Sequence, residues 1–389
     1  MSQRASGVLP AKRSSVESHA SAPVELAQSR FVAHKPDFDE RPRISAPLMI
    51  VSIPALNEEK TVGRVIADVP RRIPGIGRVE VVVIDDGSSD QTANVARRAG
   101  ATVLRHGRTL GVGAAFQTGL AHGVRRGADL IVSIDADGQF DPVDIPELVE
   151  PVLAGEAEFA TASRFKDASL APEMPGIKRW GNRMMSRLIS RLTGQKFFDV
   201  SCGFRCYSRH AALNLHLLGH FTYTQEVFLN LAFKHMRMVE VPLRIRGVRE
   251  HGKSRVAGNL LQYALKTSRI IFRSYRDYFP LHFFGGLSAL LSVPALGLWG
   301  FLLVHYLQTG GFSPHKWAGF TGAALFAFGL MMLILGVIGD MLNRQRVYLE
   351  ELLYYVRARE SENESADRVR SIPSGRTQAK VVDPSGEGA

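Results

Sequence analysis

Residues 130–141 read LIVSIDADGQFD, a short apolar run that stops in two carboxylates at i and i+2, followed by Gly138 and Gln139. A run of that length fits a buried strand, and carboxylates just past its C-terminal end lie where open α/β sheets receive ligands. In extended chain, residues two apart point the same way at roughly 7 Å, so Asp135 and Asp137 can address one target. Oxygen ligands with no His or Cys nearby suit a hard cation bound together with phosphates, Mg²⁺ or Mn²⁺, rather than zinc.

Two further strand ends repeat the pattern. Residues 80–86 (EVVVIDD) run into GSSDQT and a helical stretch to about Gly100, and residues 49–53 (MIVSI) run into PALNEE at 54–59. Another helix begins at residues 111–115 (GVGAA), between a strand near 102–105 and the one that ends at Asp135. Strands alternating with helices predict a doubly wound α/β sheet with its ligand at the carboxyl edge.

The 389 residues carry a net charge of +11, which points to an anionic partner. The basic residues gather in 164–209 and 237–276, the second block lying just ahead of the most apolar part of the chain. They form neither a low-complexity tail nor an aromatic-studded ribbon, so a membrane surface and phosphate are favoured and nucleic acid is not expected. Cys202 and Cys206 are the whole cysteine complement and read as core thiols of a reducing compartment.

Residues 1–45, rich in Ser, Ala, Pro, Arg and Lys, read as a disordered arm without a signal-peptide core. Residues 283–307 and 317–338 contain no Asp, Glu, Lys or Arg, and each is long enough to cross roughly 30 Å of hydrocarbon as a helix. Trp299, Tyr306 and Trp317 near their ends fit bilayer spans. Arg269, Arg273 and Arg276 precede the pair and Arg344 and Arg346 follow it, which places both flanks in the cytosol. Residues 260–279 mix apolar and basic residues at helical spacing and read as an amphipathic helix on the membrane face. The expected organisation is an arm (1–45), a catalytic domain (46–257), a membrane-surface helix (258–280), a transmembrane hairpin (281–341) and a cytosolic tail (342–389). Small residues at Gly285, Gly286, Gly336 and Gly339 are places for contacts with partner helices, and hence for a homo-oligomer through the hairpin.

PALNEE at 54–59, VIDDGSSDQT at 83–92 and DADGQFDP at 135–142 together resemble glycosyltransferase family 2, which uses the GT-A fold, a Rossmann-like mixed sheet, and nucleotide-sugar donors. Ser163-Arg164-Phe165, DVSCGFR at 199–205, Val241-Pro242 and HGKSR at 251–255 resemble the branch of dolichyl-phosphate mannosyltransferases and bacterial polyprenyl-phosphate glycosyltransferases. The resemblance covers about residues 48–280. It implies that Pro54, Leu56, Glu58 and Asp86 line the nucleoside pocket and that Asp135, Ala136, Asp137 and Gln139 meet the diphosphate. Asp135, Asp137 and Gln139 would hold the cation, Asp137 being the first choice as a direct ligand. Arg164, Arg179 and Lys253 would meet phosphate oxygens, with Asp137, Arg164 and Lys253 the catalytic set and Ser201 and Arg205 on the acceptor side.

A polyprenyl phosphate acceptor is already anionic near neutral pH and needs no general base, whereas a hydroxyl acceptor does. Glu226 is the acid available for that second case. Three readings therefore stand: transfer to a polyprenyl phosphate, for which the resemblance implies inversion, transfer to a lipid hydroxyl or growing glycan with Glu226 as base, and a membrane-anchored scaffold without activity.

Overall fold

The computed structural model describes residues 46–217, 223–246 and 260–371. Among them, strands β1 (Leu48–Ala55), β2 (Arg78–Asp85), β3 (Thr102–Arg105), β4 (Leu130–Ser133), β5 (Phe159–Ser163), β6 (Arg205–Ser208) and β7 (Met238–Pro242) form one sheet in the order β3-β2-β1-β4-β6-β5-β7. Helices α1 (Val62–Asp68), α2 (Thr92–Arg98), α3 (Val112–Arg125), α4 (Ile145–Leu153), α5 (Gly176–Thr193), α6 (Arg209–Asn214) and α7 (Thr224–Phe233) belong to the same α/β unit. Three more follow, α8 (Leu260–Tyr278), α9 (Pro280–Thr309) and α10 (Lys316–Ser371).

Strand alternation builds the layers. Met49, Val51 and Ile53 of β1 join Val81, Val83, Leu130 and Val132 on one face, where Val62, Ile66, Leu148 and Val149 of α1 and α4 cover them. Ile50, Val82, Ile84 and Ile131 point the other way, onto Phe116 of α3, Ile189 of α5 and Phe228 of α7. With side chains alternating at a period of two, a strand buried on both faces must be apolar throughout, which is why these runs read as continuous.

β1 pairs in parallel with β2 and β4, and β2 with β3. β6 departs from this, running antiparallel to both β4 and β5, while β7 returns to a parallel pairing with β5. The reversal has a consequence for the site. Residues 199–204, which lead into β6, reach the same sheet edge as the C-terminal ends of β1, β2, β4, β5 and β7.

α9 and α10 are long and apolar enough to cross a membrane. They pack through small residues of α10: a Cβ added at Gly322 would come within 2.7 Å of Trp299 Nε1, and one at Gly339 within 2.7 Å of Pro280 Cβ. Gly336 likewise abuts Phe284. The expectation that Gly336 and Gly339 meet partner helices is therefore corrected, since α9 of the same chain occupies that face.

The tail expected from residue 342 begins inside α10, which continues without a break as a 56-residue helix to Ser371. One side of the extension packs on the end of α8 and on the α/β unit. Asn343 Nδ2 donates to Tyr278 O (3.2 Å), and an Arg346 guanidinium N–H donates to Tyr278 Oη (2.9 Å). Glu350 pairs with Arg346 (2.8 Å) and with Lys234 of the segment after α7 (2.9 Å), and Arg357 reaches His216 Nδ1 (3.1 Å). Tyr354 and Ala358 enter the core beside α6. A dense mixture of charges in residues 343–360 hides this side in the sequence, because the contacts of Glu350 with Lys234 and of Arg357 with His216 join residues more than a hundred positions apart. The arm at 1–45 and the last residues, 372–389, lie outside the described residues.

Candidate active site

The ends of β1 and β2 are locked together by their turns. Asn57 adopts a left-handed backbone (φ 52°) and accepts from Ser89 N (2.8 Å), while its own N–H donates to Ser88 Oγ (2.9 Å). Glu58 N donates to Thr92 Oγ1 (2.8 Å) at the start of α2. Pro54 is buried in this corner, and Leu56 and Glu58 are half-buried.

Asp86 is buried and already engaged. Its oxygens accept from Leu110 N (2.9 Å) and Gly111 N (2.8 Å), and Oδ1 lies 2.7 Å from His106 Nδ1. His106 Nε2 in turn lies 3.0 Å from Thr118 Oγ1. Gly111 takes φ 101°, a conformation costly for a side chain, and so aims its N–H at the carboxylate. Asp85 is equally buried, accepting from Ser88 N (2.9 Å) and pairing with Arg105 (3.1 Å).

Past β4, Asp135 is half-buried, and Ala136 and Asp137 are buried. Asp137 Oδ1 accepts from Gln139 N (3.0 Å), which closes a tight turn. Gln139 is stitched to the chain beyond β7, its Nε2 donating to Arg246 O (3.2 Å) and its O accepting from Arg246 N (3.1 Å). Behind Asp135 stands Gly203, where an added Cβ would lie 2.9 Å from Asp135 Oδ2. Burial first, and then the Asp135 charge, push the Tyr223 hydroxyl up, so this tyrosine borders the same carboxylate.

Beyond β5, Arg164 forms a bidentate pair with Asp199, through Nε (2.6 Å) and Nη2 (2.9 Å), and Nη2 also donates to Ser201 Oγ (2.8 Å). Asp199 is fully buried. Burial alone would raise its carboxyl, but the Arg164 guanidinium and the N–H groups of Ser201 and Arg164 together hold it below the ordinary carboxylate range. Glu240 of β7 clamps the same loop, accepting from Phe198 N (2.9 Å) and Asp199 N (2.7 Å); burial first holds its carboxyl up. Ser201 Oγ donates to Asn182 Oδ1 of α5, which ties that helix to the loop. One strand separates β4 from β5, so their ends stand about 10 Å apart.

The structure thus brings Pro54, Leu56, Glu58, Asp86, Asp135, Ala136, Asp137, Gln139, Arg164 and Ser201 to one sheet edge. Arg179 stands on the exposed start of α5, where one guanidinium N–H donates to Pro172 O (3.4 Å). Arg205 is buried; its Nε donates to Cys202 O (2.8 Å) and its guanidinium faces the rings of Phe228, Tyr223 and Phe159. An acceptor-side role by direct contact does not fit that burial, and Arg205 instead holds the 199–204 loop from beneath. Glu226 is buried in the first turn of α7, near enough to Tyr278 for its charge to raise that hydroxyl after burial has done so. Lys253 lies outside the described residues. Cys202 and Cys206 are free and buried, and burial pushes the Cys202 thiol up to about 12.

Asp199, Glu240, His106 and Tyr223 belong to this site and were not singled out in the sequence. Asp199 opens the DVSCGFR motif, so it carried a signal; the other three depend on contacts distant in the chain.

A seven-stranded mixed sheet with an acidic pair at its carboxyl edge is the arrangement expected of a glycosyltransferase of the GT-A class. The pattern of glycosyl transferase family 2 matches residues 50–215, and the chain belongs to that family. It is 33% identical to an uncharacterized protein of Methanocaldococcus jannaschii over 50% of this chain and 80% of that protein. It is 29% identical to the UDP-N-acetylglucosamine–dolichyl-phosphate N-acetylglucosaminyltransferase of Methanococcus voltae, over 42% of this chain and 70% of that one. It is 28% identical to an undecaprenyl-phosphate 4-deoxy-4-formamido-L-arabinose transferase of Klebsiella pneumoniae, over 82% of this chain and 96% of that one. Among solved structures, glucosyl-3-phosphoglycerate synthase from Mycobacterium tuberculosis in complex with Mn²⁺, UDP-glucose and phosphoglyceric acid is 22% identical with a TM-score of 0.47, covering 61% of this chain and 80% of that one.

Proposed function

We propose that this glycosyltransferase moves a sugar from a UDP- or GDP-sugar to a polyprenyl phosphate, dolichyl or undecaprenyl, at the cytosolic face of a membrane. The observation that carries the reading is α5. Ile177, Trp180 (61% exposed), Met184 and Leu188 form an apolar stripe on its outer side, and Arg179, Arg183, Arg187 and Arg191 follow one another four residues apart beside it. Such a pairing of apolar and cationic stripes suits an anionic bilayer surface. From the same helix Asn182 reaches Ser201, and Ser201 reaches Arg164, so a lipid headgroup at that surface would meet the phosphate-binding groups directly. The relatives named for polyprenyl-phosphate acceptors and the two apolar helices support the same acceptor. Exposed Phe272, Arg269 and Arg273 on α8 fit a second membrane-facing helix.

In this reading Pro54, Leu56 and Glu58 line the nucleoside side together with the 106–111 loop that Asp86 braces. Asp135, Asp137 and Gln139 offer only oxygen and amide groups, which fits Mg²⁺ or Mn²⁺. Among the described residues no third acid, His or Cys joins them, so the remaining ligands would come from the donor diphosphate. Such a cation supplies charge neutralisation for the departing nucleoside diphosphate. Arg164, oriented by Asp199, and with it Arg179 and Lys253, would hold phosphate oxygens. An oxygen of the lipid phosphate forms its bond to the anomeric carbon as the bond to the diphosphate oxygen breaks, and the electron pair leaves with the nucleoside diphosphate. No proton moves, and the anomeric configuration inverts.

The test is acceptor choice, with polyprenyl phosphate and the matching polyprenol supplied separately to the same membranes. Product with the phosphate alone is the expected result. Product with the alcohol alone would overturn it and make Glu226 the base to examine.

A further inference from the structure

The extension of α10 carries an apolar face that the α/β unit does not use. Asn343, Arg346, Glu350, Tyr354 and Arg357 face the end of α8 and the unit. On the opposite side stand Leu342, Tyr348, Leu349 (60% exposed), Leu352 (61% exposed), Leu353 and Val356, all exposed. A stripe this wide, next to water, marks an interaction surface. Counted at alternating steps of three and four, Leu342, Gln345, Leu349, Leu352 and Val356 form one seam, the spacing at which a helix packs against a parallel copy of itself.

We propose that this seam pairs with the same seam of a second copy of the chain, in a parallel two-stranded coiled coil just outside the membrane. Three features select that occupant. First, α10 is a single helix from its apolar part to Ser371, so the stripe cannot fold down onto the bilayer without breaking the helix. At 1.5 Å per residue, Val356 stands about 15 Å further along the axis than Arg346, which is hydrogen-bonded to Tyr278 at the end of α8. Second, the inference rests on the reading that α10 spans the bilayer: the span sets every copy parallel and at one depth, so two seams meet in register without further adjustment. Third, α9 and the α/β unit both lie on the other side of α10, as the packing of Gly322, Gly336 and Gly339 and the contacts of Glu350 and Arg357 require. Two copies joined at the seam would therefore carry their catalytic units outward without collision.

The test is disulfide crosslinking of the full chain in native membranes. Single cysteines replace Leu342, Leu349, Leu352 or Val356 on the seam, and Arg344, Val347 or Glu351 off it. Cys202 and Cys206 are buried and contribute no background. The expected result is a band of twice the chain mass from the seam positions and its loss from the other three. Adding Leu349→Glu and Leu352→Glu to Val356→Cys should abolish the band. Equal crosslinking at all positions, none at the seam, or an adduct of another mass would overturn the proposal. Retention of the chain in carbonate-washed membranes is read separately, so that failure of the spanning reading is told apart from failure of the seam.

Discussion

Replacing Arg164 by Met should destabilise the protein by about 3 kcal/mol, because it strands a fully buried carboxylate. Asp199 accepts from Arg164 Nε and Nη2, from Arg164 N and from Ser201 N. The substitution removes the first two and the only positive charge bonded to the carboxylate among the described residues, while the two backbone donors hold the cost near the lower end of the range for a broken buried pair. Asp199→Asn alone should cost about 1–2 kcal/mol, since the amide keeps part of the hydrogen bonding. The double variant is the informative one. With no charge left to strand, it should be more stable than the sum of the single effects by about 1–2 kcal/mol. The sign with pH follows from the depressed Asp199 carboxyl, whose contribution is present above its unfolded value and lost as pH falls through the folded one. The gap between the natural protein and Arg164→Met should accordingly narrow in acid. Unfolding of the full chain in detergent, followed by tryptophan fluorescence from about pH 7 to about pH 2, through and below the ordinary aspartate range, measures all of this. Additive single effects with no narrowing in acid would refute the reasoning.

Gly203→Ala should lower kcat about tenfold with the fold intact, because the new Cβ displaces the Asp135 carboxylate by a few tenths of an ångström; steady-state kinetics beside a thermal melt separates the two effects. Burial first, then Lys234 and Arg357, hold His216 down to about 4, so the folded state takes its proton later than the unfolded one. Stability should therefore fall from pH 6.5 towards 4, and His216→Asn should remove about 1–2 kcal/mol of that dependence after allowance for solvent screening, read from melts at successive pH values. Trp180→Glu with Met184→Glu on α5 should raise KM for the lipid acceptor several-fold and leave KM for the donor unchanged; equal changes in both would count against α5 as a lipid-facing surface.

The parts of this molecule legible in the sequence are those with local causes. The apolar runs ending at Ala55, Asp85 and Ser133 announce three strands, and the acids just beyond them announce the site edge. What pairs across long separations was not legible. β6, the four residues Arg205–Ser208, has no apolar run to announce it, and only its partners reveal its reversed direction. Arg205 closes the DVSCGFR stretch yet turns inward onto three aromatic rings, since a guanidinium with a carbonyl partner and π faces can be buried. Glu240 sits in a strand and acts on residues 198 and 199, some forty positions earlier. On α5, by contrast, the fourfold arginine spacing was visible in residues 179–191 and gains its meaning once Ile189 and Ser186 define the buried side.

The most direct test of the account is transfer of labelled sugar from UDP- and GDP-sugars into organic-extractable product, using membranes supplied with polyprenyl phosphate and Mg²⁺ or Mn²⁺, with Asp137→Ala alongside. The account predicts a metal-dependent, acid-labile lipid-linked sugar that disappears in the variant. Undiminished product from Asp137→Ala, or donor turnover that ignores the lipid phosphate, would contradict it.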